Sequence, residues 1–186
     1  MWLPIFLALE ADAHAKVGHS VTALQVIEEA ILISEETGER WAVAEVLRIK
    51  ASLLLATGRP TEEVEDLLVN SLEIARHQQA RSWELRTACD LARLWQHQGR
   101  GAEALHLVQT IYDQFTEGFD TADLRDAKAL LAHGTETRLT RDLENLEQKI
   151  RVPSGAFSAC FDAADGFVVT DKVEGEAADD DHVLAP

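Results

Sequence analysis

An all-α chain of stacked helical hairpins is what this sequence predicts, and three observations predict it. Ala11, Ala51 and Ala92 recur at intervals of 40 and 41 residues, and each is followed seven residues later by a glycine, Gly18, Gly58 and Gly99. Between these marks the apolar residues fall at helical spacing. The 186 residues are 46% hydrophobic, enough to supply a continuous core. Self-similarity at a period of about 20–50 residues marks a solenoid, in which each unit hides its apolar face against its neighbours. The expected architecture is an α-solenoid of three helical hairpins plus a capping helix, a product that offers a binding surface and no active site.

Reading backwards from each glycine, a first helix spans Leu3–Val17, Trp41–Thr57 and Trp83–Gln98 in the three units. Each ends where a glycine can take the left-handed conformation that closes a helix. A second helix follows, carried by Ala23, Ile27, Ala30 and Ile31, then by Val64, Leu68, Ser71 and Leu72, then by Ala104, Val108, Ile111 and Tyr112. Where the two helices of a hairpin cross, the alanines let the backbones approach and larger neighbours interlock around them. Trp41 and Trp83 open first helices and are expected to wedge successive repeats together, with ligand stacking as the alternative; Trp95, beside Leu91 and Leu94, reads as core.

A last helix is expected over Ala122–Ala132, capped by Asp120 or Thr121, with Asp123 at its positive end and Leu124, Ala127, Leu130 and Leu131 as its apolar stripe. His133-Gly134 interrupts the pattern, which sets a first domain at 1–132. In 133–150, Leu139, Leu143, Leu146 and Ile150 are spaced 4, 3 and 4, the seam of a short coiled coil, with Arg138, Arg141, Glu144 and Glu147 on the wet faces; a helix that folds back or frays is the alternative. From 151 to 186, Pro153, Gly155, Gly166 and Gly175 break any helix. From Val152 onward eight acidic residues face Lys172 alone, a net of −7, so a disordered acidic C-terminal tail is expected.

Charge and motif content exclude several functions. With 33 acidic against 17 basic residues the net charge is −16, which repels nucleic acid and anionic membrane surfaces. The apolar opening Met1–Leu9 has no basic flank and is too short to span a bilayer, so neither a signal peptide nor a membrane anchor is expected. Cys89 and Cys160 match no CxxC spacing, which suits a reducing, cytoplasmic location. The seven histidines show no HExxH or i, i+4 pairing, and Asp162–Gly166 lacks the alternating ligands and terminal glutamate of a calcium loop. No phosphate loop, GxGxxG turn, Ser-His-Asp or Cys-His arrangement occurs, so no cofactor or metal is expected, and Cys89 reads as a packing residue. The chain opens inside an amphipathic pattern without a visible helix cap after Met1, which predicts a fragment of a longer protein.

The units resemble tetratricopeptide repeats, with a period longer than the usual ~34 residues and hence longer helices or turns. More specifically, the runs Glu36–Trp41, Leu53–Pro60, Leu91–Gly99 and Phe115–Leu124 resemble the C-terminal helical-repeat region of bacterial multidomain adenylate/guanylate cyclases, over about residues 3–132, with Phe115–Thr121 the most specific part. Val43, Val46 and Ile49 depart from the more polar or aromatic residues of that region, and 133–186 extends past its usual end. In that family a class III cyclase domain precedes a P-loop ATPase domain and then the repeats. The resemblance implies a non-catalytic interaction and regulatory module in signal transduction, because the paired aspartates and ferredoxin-like sheet of a cyclase have no place in this chain.

The resemblance also implies that first helices line a concave groove, which would include Asp12, Lys16, Glu45, Arg48, Ser52, Arg86, Arg93, Gln96 and His97. Arg48, Arg86 and Arg93 would make that face locally basic and suited to a carboxylate-bearing protein or peptide partner, or to the ATPase domain of the same parent. A solvated helix face is the alternative for these residues. For the whole chain the alternative is a packing module without external ligand, self-associating through the N-terminal helix, where Trp2, Ile5 and Phe6 lack a polar cap.

Overall fold

The computed structural model describes residues 2–150, and every regular element among them is an α-helix. The helices are α1 (Leu3–Lys16), α2 (Ser20–Thr37), α3 (Val43–Ala56), α4 (Thr61–His77), α5 (Arg81–His97), α6 (Gly101–Tyr112) and α7 (Ala122–Ile150). Each odd helix packs along the next, α1 on α2, α3 on α4 and α5 on α6, while α2 meets α3 and α4 meets α5. The odd helices also touch one another, α1 with α3 and α3 with α5. By compactness the chain divides into residues 1–142 and 143–186; of the second unit only 143–150 are described, the last turns of α7.

Short connections follow from the backbone at each helix end. Gly18, Gly58 and Gly99 adopt φ of +85°, +75° and +82°, the left-handed region open to glycine at little cost. The residue after each donates its amide five positions back, His19 to His14, Arg59 to Leu54 and Arg100 to Trp95, which satisfies a terminal carbonyl and reverses the chain. The α4–α5 turn makes the same bond, Ala80 to Ala75, without a glycine: Gln79 takes φ +55°. That conformation costs a residue with a Cβ about 1–2 kcal/mol.

Ala11, Ala51 and Ala92 are fully buried, as the close crossings require. Two apolar clusters result. A smaller one joins Ala8, Ala11, Ala23, Ile27 and Ala30 to Val46, Ile49 and Leu53 of α3. A larger one runs from Ala51 and Leu54 through Leu68, Leu72, Leu85 and Leu91 to Val108, Ile111, Leu124 and Ala127. Inside the second repeat the Ser71 hydroxyl lies 2.7 Å from the Ala44 carbonyl, to which it donates, and 2.9 Å from the Thr87 hydroxyl, tying α4 to α3 and α5 through buried polar groups that are all satisfied.

The C-terminal part of the fold departs from expectation in two ways. The helix expected to stop at Ala132 runs unbroken through His133-Gly134 to Ile150. Gly134 is a close-approach residue: a Cβ placed there would lie 2.3 Å from Cδ2 of Leu105 on α6. A helical glycine costs only about 1 kcal/mol relative to alanine, so it does not by itself end a helix. The expected cap also differs, because the Thr121 hydroxyl turns back to the Gly118 carbonyl instead of meeting a helix amide. Leu139, Leu143 and Leu146 of the expected seam are exposed. The acidic tail, with Cys160, His182 and the Asp162–Gly166 run, lies outside the described residues.

Candidate functional site

The odd helices carry the site, since α1, α3, α5 and the start of α7 each contribute to one recess of about 310 Å³. Of the residues expected at a groove, Asp12, Glu45, Arg48 and Arg86 line it, together with Leu9, Ile49, Asp90, Asp123 and Asp126. Of the other expected groove residues, Arg93 stands beside it through Asp90 and Asp126. Lys16 is exposed and pairs with Asp12 on its own helix at 2.6 Å, and Ser52 donates to the Arg48 carbonyl. Gln96 and His97 occupy the end of α5 and do not line the recess.

Glu45 needs correcting most, since it sits almost wholly buried at the floor of the recess as an ion-pair partner and is not an open groove contact. Its carboxylate receives Arg48 Nε at 2.9 Å and Nη2 at 3.0 Å from its own helix, and Arg86 Nη1 at 3.1 Å from α5. The pairing then continues helix to helix. Arg48 Nη1 reaches Asp90 at 2.7 Å; Asp90 also receives Arg93 at 3.0 Å; Arg86 Nε reaches Asp123 at 2.8 Å, and Arg93 Nη2 reaches Asp126 at 2.6 Å. The result is an alternating ladder of charge across α3, α5 and α7.

This ladder overturns the expectation of a locally basic face. Arg48, Arg86 and Arg93 are matched by Glu45, Asp90, Asp123 and Asp126, and among the lining residues of the recess five carboxylates meet two guanidiniums. Burial by itself lowers the Arg48 pKa, but the hydrogen bond and charge of Glu45, reinforced by Asp90, outweigh it and hold the guanidinium above its usual range. Arg93 is raised in the same way, its desolvation overcome chiefly by Asp126. Charge-assisted pairs of this kind are geometrically specific.

Asp90, Asp123 and Asp126 were not anticipated as site residues, although the sequence held a signal for Asp90. Arg86 follows Glu45 by 41 residues and Asp90 follows Arg48 by 42, so opposite charges recur one period apart. Cys89, behind the ladder, is buried among Leu85, Ala88 and Ala92; burial pushes its thiol up to about 12, the charge of Arg93 pulling part of the way back. It packs and is not a poised nucleophile.

The tryptophans form a second feature along the starts of the odd helices. Trp2 meets Trp41 edge-on at 4.9 Å, and Trp41 meets Trp83 at 5.8 Å. Successive repeats are therefore bridged by rings, as the wedging role required. Trp95 is half-buried against the larger cluster; its indole N–H donates to Glu65 at 2.7 Å and the Arg100 guanidinium sits 4.3 Å over its ring. Burial would raise the Glu65 pKa, but hydrogen bonds from Arg100, Trp95 and Gln98 lower it overall. No group of histidine, cysteine and carboxylate side chains suited to a metal ion is present among the described residues, and no described helix is long and apolar enough to cross a membrane. No protein-family model matches the chain, and no curated protein matches it.

Proposed function

We propose that the chain is a non-catalytic scaffold of tetratricopeptide-like repeats that docks a protein or peptide partner. Three hairpins, α1–α2, α3–α4 and α5–α6, form a short α-solenoid, with the first half of α7 closing its far end. The observation that carries this reading is a recess to which α1, α3, α5 and the start of α7 all contribute. Enzymes converge unpaired, perturbed groups on one point, whereas here the charges neutralise one another along the stack.

The charge balance fixes the anchor chemistry. Carboxylates outnumber guanidiniums five to two among the lining residues, and Asp126 and Asp12 are the most exposed of those carboxylates. A lysine or arginine of an extended or helical segment therefore suits it better than a carboxylate. In the parent suggested by the sequence resemblance, a cytoplasmic cyclase–ATPase regulator, the partner would be the neighbouring ATPase domain or a protein whose arrival that domain senses.

Peptide display on the full chain tests this directly. Selected binders should be enriched in Lys and Arg, and Asp12→Arg with Asp126→Arg should weaken them at least about tenfold, or about 1.4 kcal/mol. Binders indifferent to both substitutions would remove the recess from the proposal. A second reading, assembly through α1, is favoured by a different observation, the exposed apolar side chains at the front of the first hairpin.

A further inference from the structure

A second recess lies between α2, α3 and α4 and shares no lining residue with the one the odd helices form. Its volume of about 280 Å³ is at the small end of ligand sites, which run from about 300 to 1,000 Å³. Ile31, Val43, Val46, Leu47 and Ile74 make its lining largely apolar, and the exposed Glu35, Arg40 and Asn70 complete it. The link from α2 to α3 that carries Arg40 is held from both flanking helices: the Ser34 hydroxyl donates to the Glu39 carbonyl at 2.6 Å, and the Gln78 side-chain amide donates to the Arg40 carbonyl at 2.7 Å. Arg48, Arg76, Arg86, Arg93 and Arg100 each hold a carboxylate. Glu35 and Arg40 carry opposite charges into one recess, yet neither makes an ion pair with the other or with any further described residue.

We propose that this recess binds a free amino acid with an apolar side chain, of the class of leucine, isoleucine and phenylalanine. One cation and one anion beside an apolar wall are the complement of that chemistry. The Arg40 guanidinium receives the α-carboxylate, for which its planar fork is suited, Glu35 receives the α-ammonium, and the side chain lies on Ile31, Val46 and Ile74. The Asn70 amide, which makes no hydrogen bond to any described residue, is at hand for either charged end of the ligand. Competing occupants satisfy only part of this set. A carboxylic acid without an ammonium group brings its charge up to Glu35, an amine without a carboxylate meets Arg40, and the interior of a peptide carries neither charge. A bound amino acid touches three helices and so braces the first hairpin on the second.

Titration calorimetry of the full chain with L-leucine, L-isoleucine and L-phenylalanine tests this. At least one should bind at a single site with a Kd on the order of 10⁻⁵–10⁻³ M, the range open to a ligand of about ten non-hydrogen atoms. For the amino acid that binds, the N-acetyl derivative and the amide should each bind at least about tenfold more weakly, since each lacks one charged contact. Arg40→Gln and Glu35→Gln should each weaken it by a similar factor, with helical content unchanged because both side chains are exposed. Saturating ligand should raise the melting temperature of the wild type and leave that of Arg40→Gln in place. Asp12→Arg with Asp126→Arg should not alter the affinity, so failure of the partner recess and failure of this site are told apart. The proposal is overturned by absence of binding for all three amino acids up to about 10 mM, or by affinity that either substitution leaves unchanged. It is overturned equally by either derivative binding as tightly as the parent, which would make an apolar side chain of a peptide the occupant.

Discussion

The first hairpin and the two behind it follow the same backbone plan but are held by different forces. Around α1 and α2 the core is built from alanines, with Ile27 the only fully buried large side chain of that hairpin, and the charges pair locally, Lys16 with Asp12 on one helix. Lys50 to Glu28 at 2.8 Å is an ion pair joining α2 to α3. From α3 onward the core is rich in leucine and the ion-pair ladder crosses three helices. A repeat can therefore conserve geometry while distributing stability unevenly. The first hairpin has the smaller core and lies outside the ladder, which makes it the first part of the described fold to open.

Cavity substitutions should expose this difference most strongly. Leu91→Ala, at a fully buried position in the larger cluster, should cost about 3–5 kcal/mol, because leucines on neighbouring helices hold the void open. Ile27→Ala, equally buried in the alanine-rich cluster, should cost about 2–3 kcal/mol, since α1 and α2 can close on the gap more readily. Urea denaturation of the two variants side by side measures both. A larger loss for Ile27→Ala would invert the comparison and make the front hairpin the anchor.

The ladder gives a smaller and more specific contrast. Glu45→Ala removes the one carboxylate that receives both Arg48 and Arg86, leaving a largely buried guanidinium short of its partner on α3. The loss should be about 2 kcal/mol, below the roughly 3–5 kcal/mol of a fully buried pair because Arg86 is partly solvated and can turn to water. Asp12→Ala breaks an exposed i, i+4 pair with Lys16 and should cost no more than about 0.5 kcal/mol. Equal effects from the two would mean that the charges of the stack are ornamental at both ends.

What could be read from the sequence was whatever is local or repeats. Gly18, Gly58 and Gly99 announce helix ends because the left-handed conformation is a property of one residue, and the buried alanines announce crossings because they recur in register. Gln79 closes a helix in the same conformation without the residue that would reveal it. Glu45, Arg48 and Arg86 lie on the first helices the sequence places them on, but they pair with one another where the sequence suggests an open groove or a solvated face, since a charge on a helix face reads as solvated until the facing helix is known. Asp123 was read as complementing the positive end of α7, yet its carboxylate meets Arg86. For the charged residues the missing information is which helix lies opposite.

Gly134 sharpens the comparison at its far end, where α7 passes α6. Replacing a helical glycine with alanine in an open position gains about 1 kcal/mol from reduced backbone freedom in the unfolded chain. Here the added Cβ would lie 2.3 Å from Cδ2 and 3.0 Å from Cγ of Leu105, so that side chain must move to another rotamer or α7 must shift outward. Leu105 is only half-buried and can give way, so Gly134→Ala alone should change stability by less than about 1 kcal/mol, with gain and crowding opposed. In a Leu105→Ala background the crowding is gone and the same substitution should stabilise by nearly the full ~1 kcal/mol. A double-mutant cycle by thermal denaturation reads the difference. Zero coupling would mean that α7 does not press on α6 at this point and that the glycine is merely tolerated; positive coupling would make Gly134 the close-approach residue of the rear, as Ala11 is of the front.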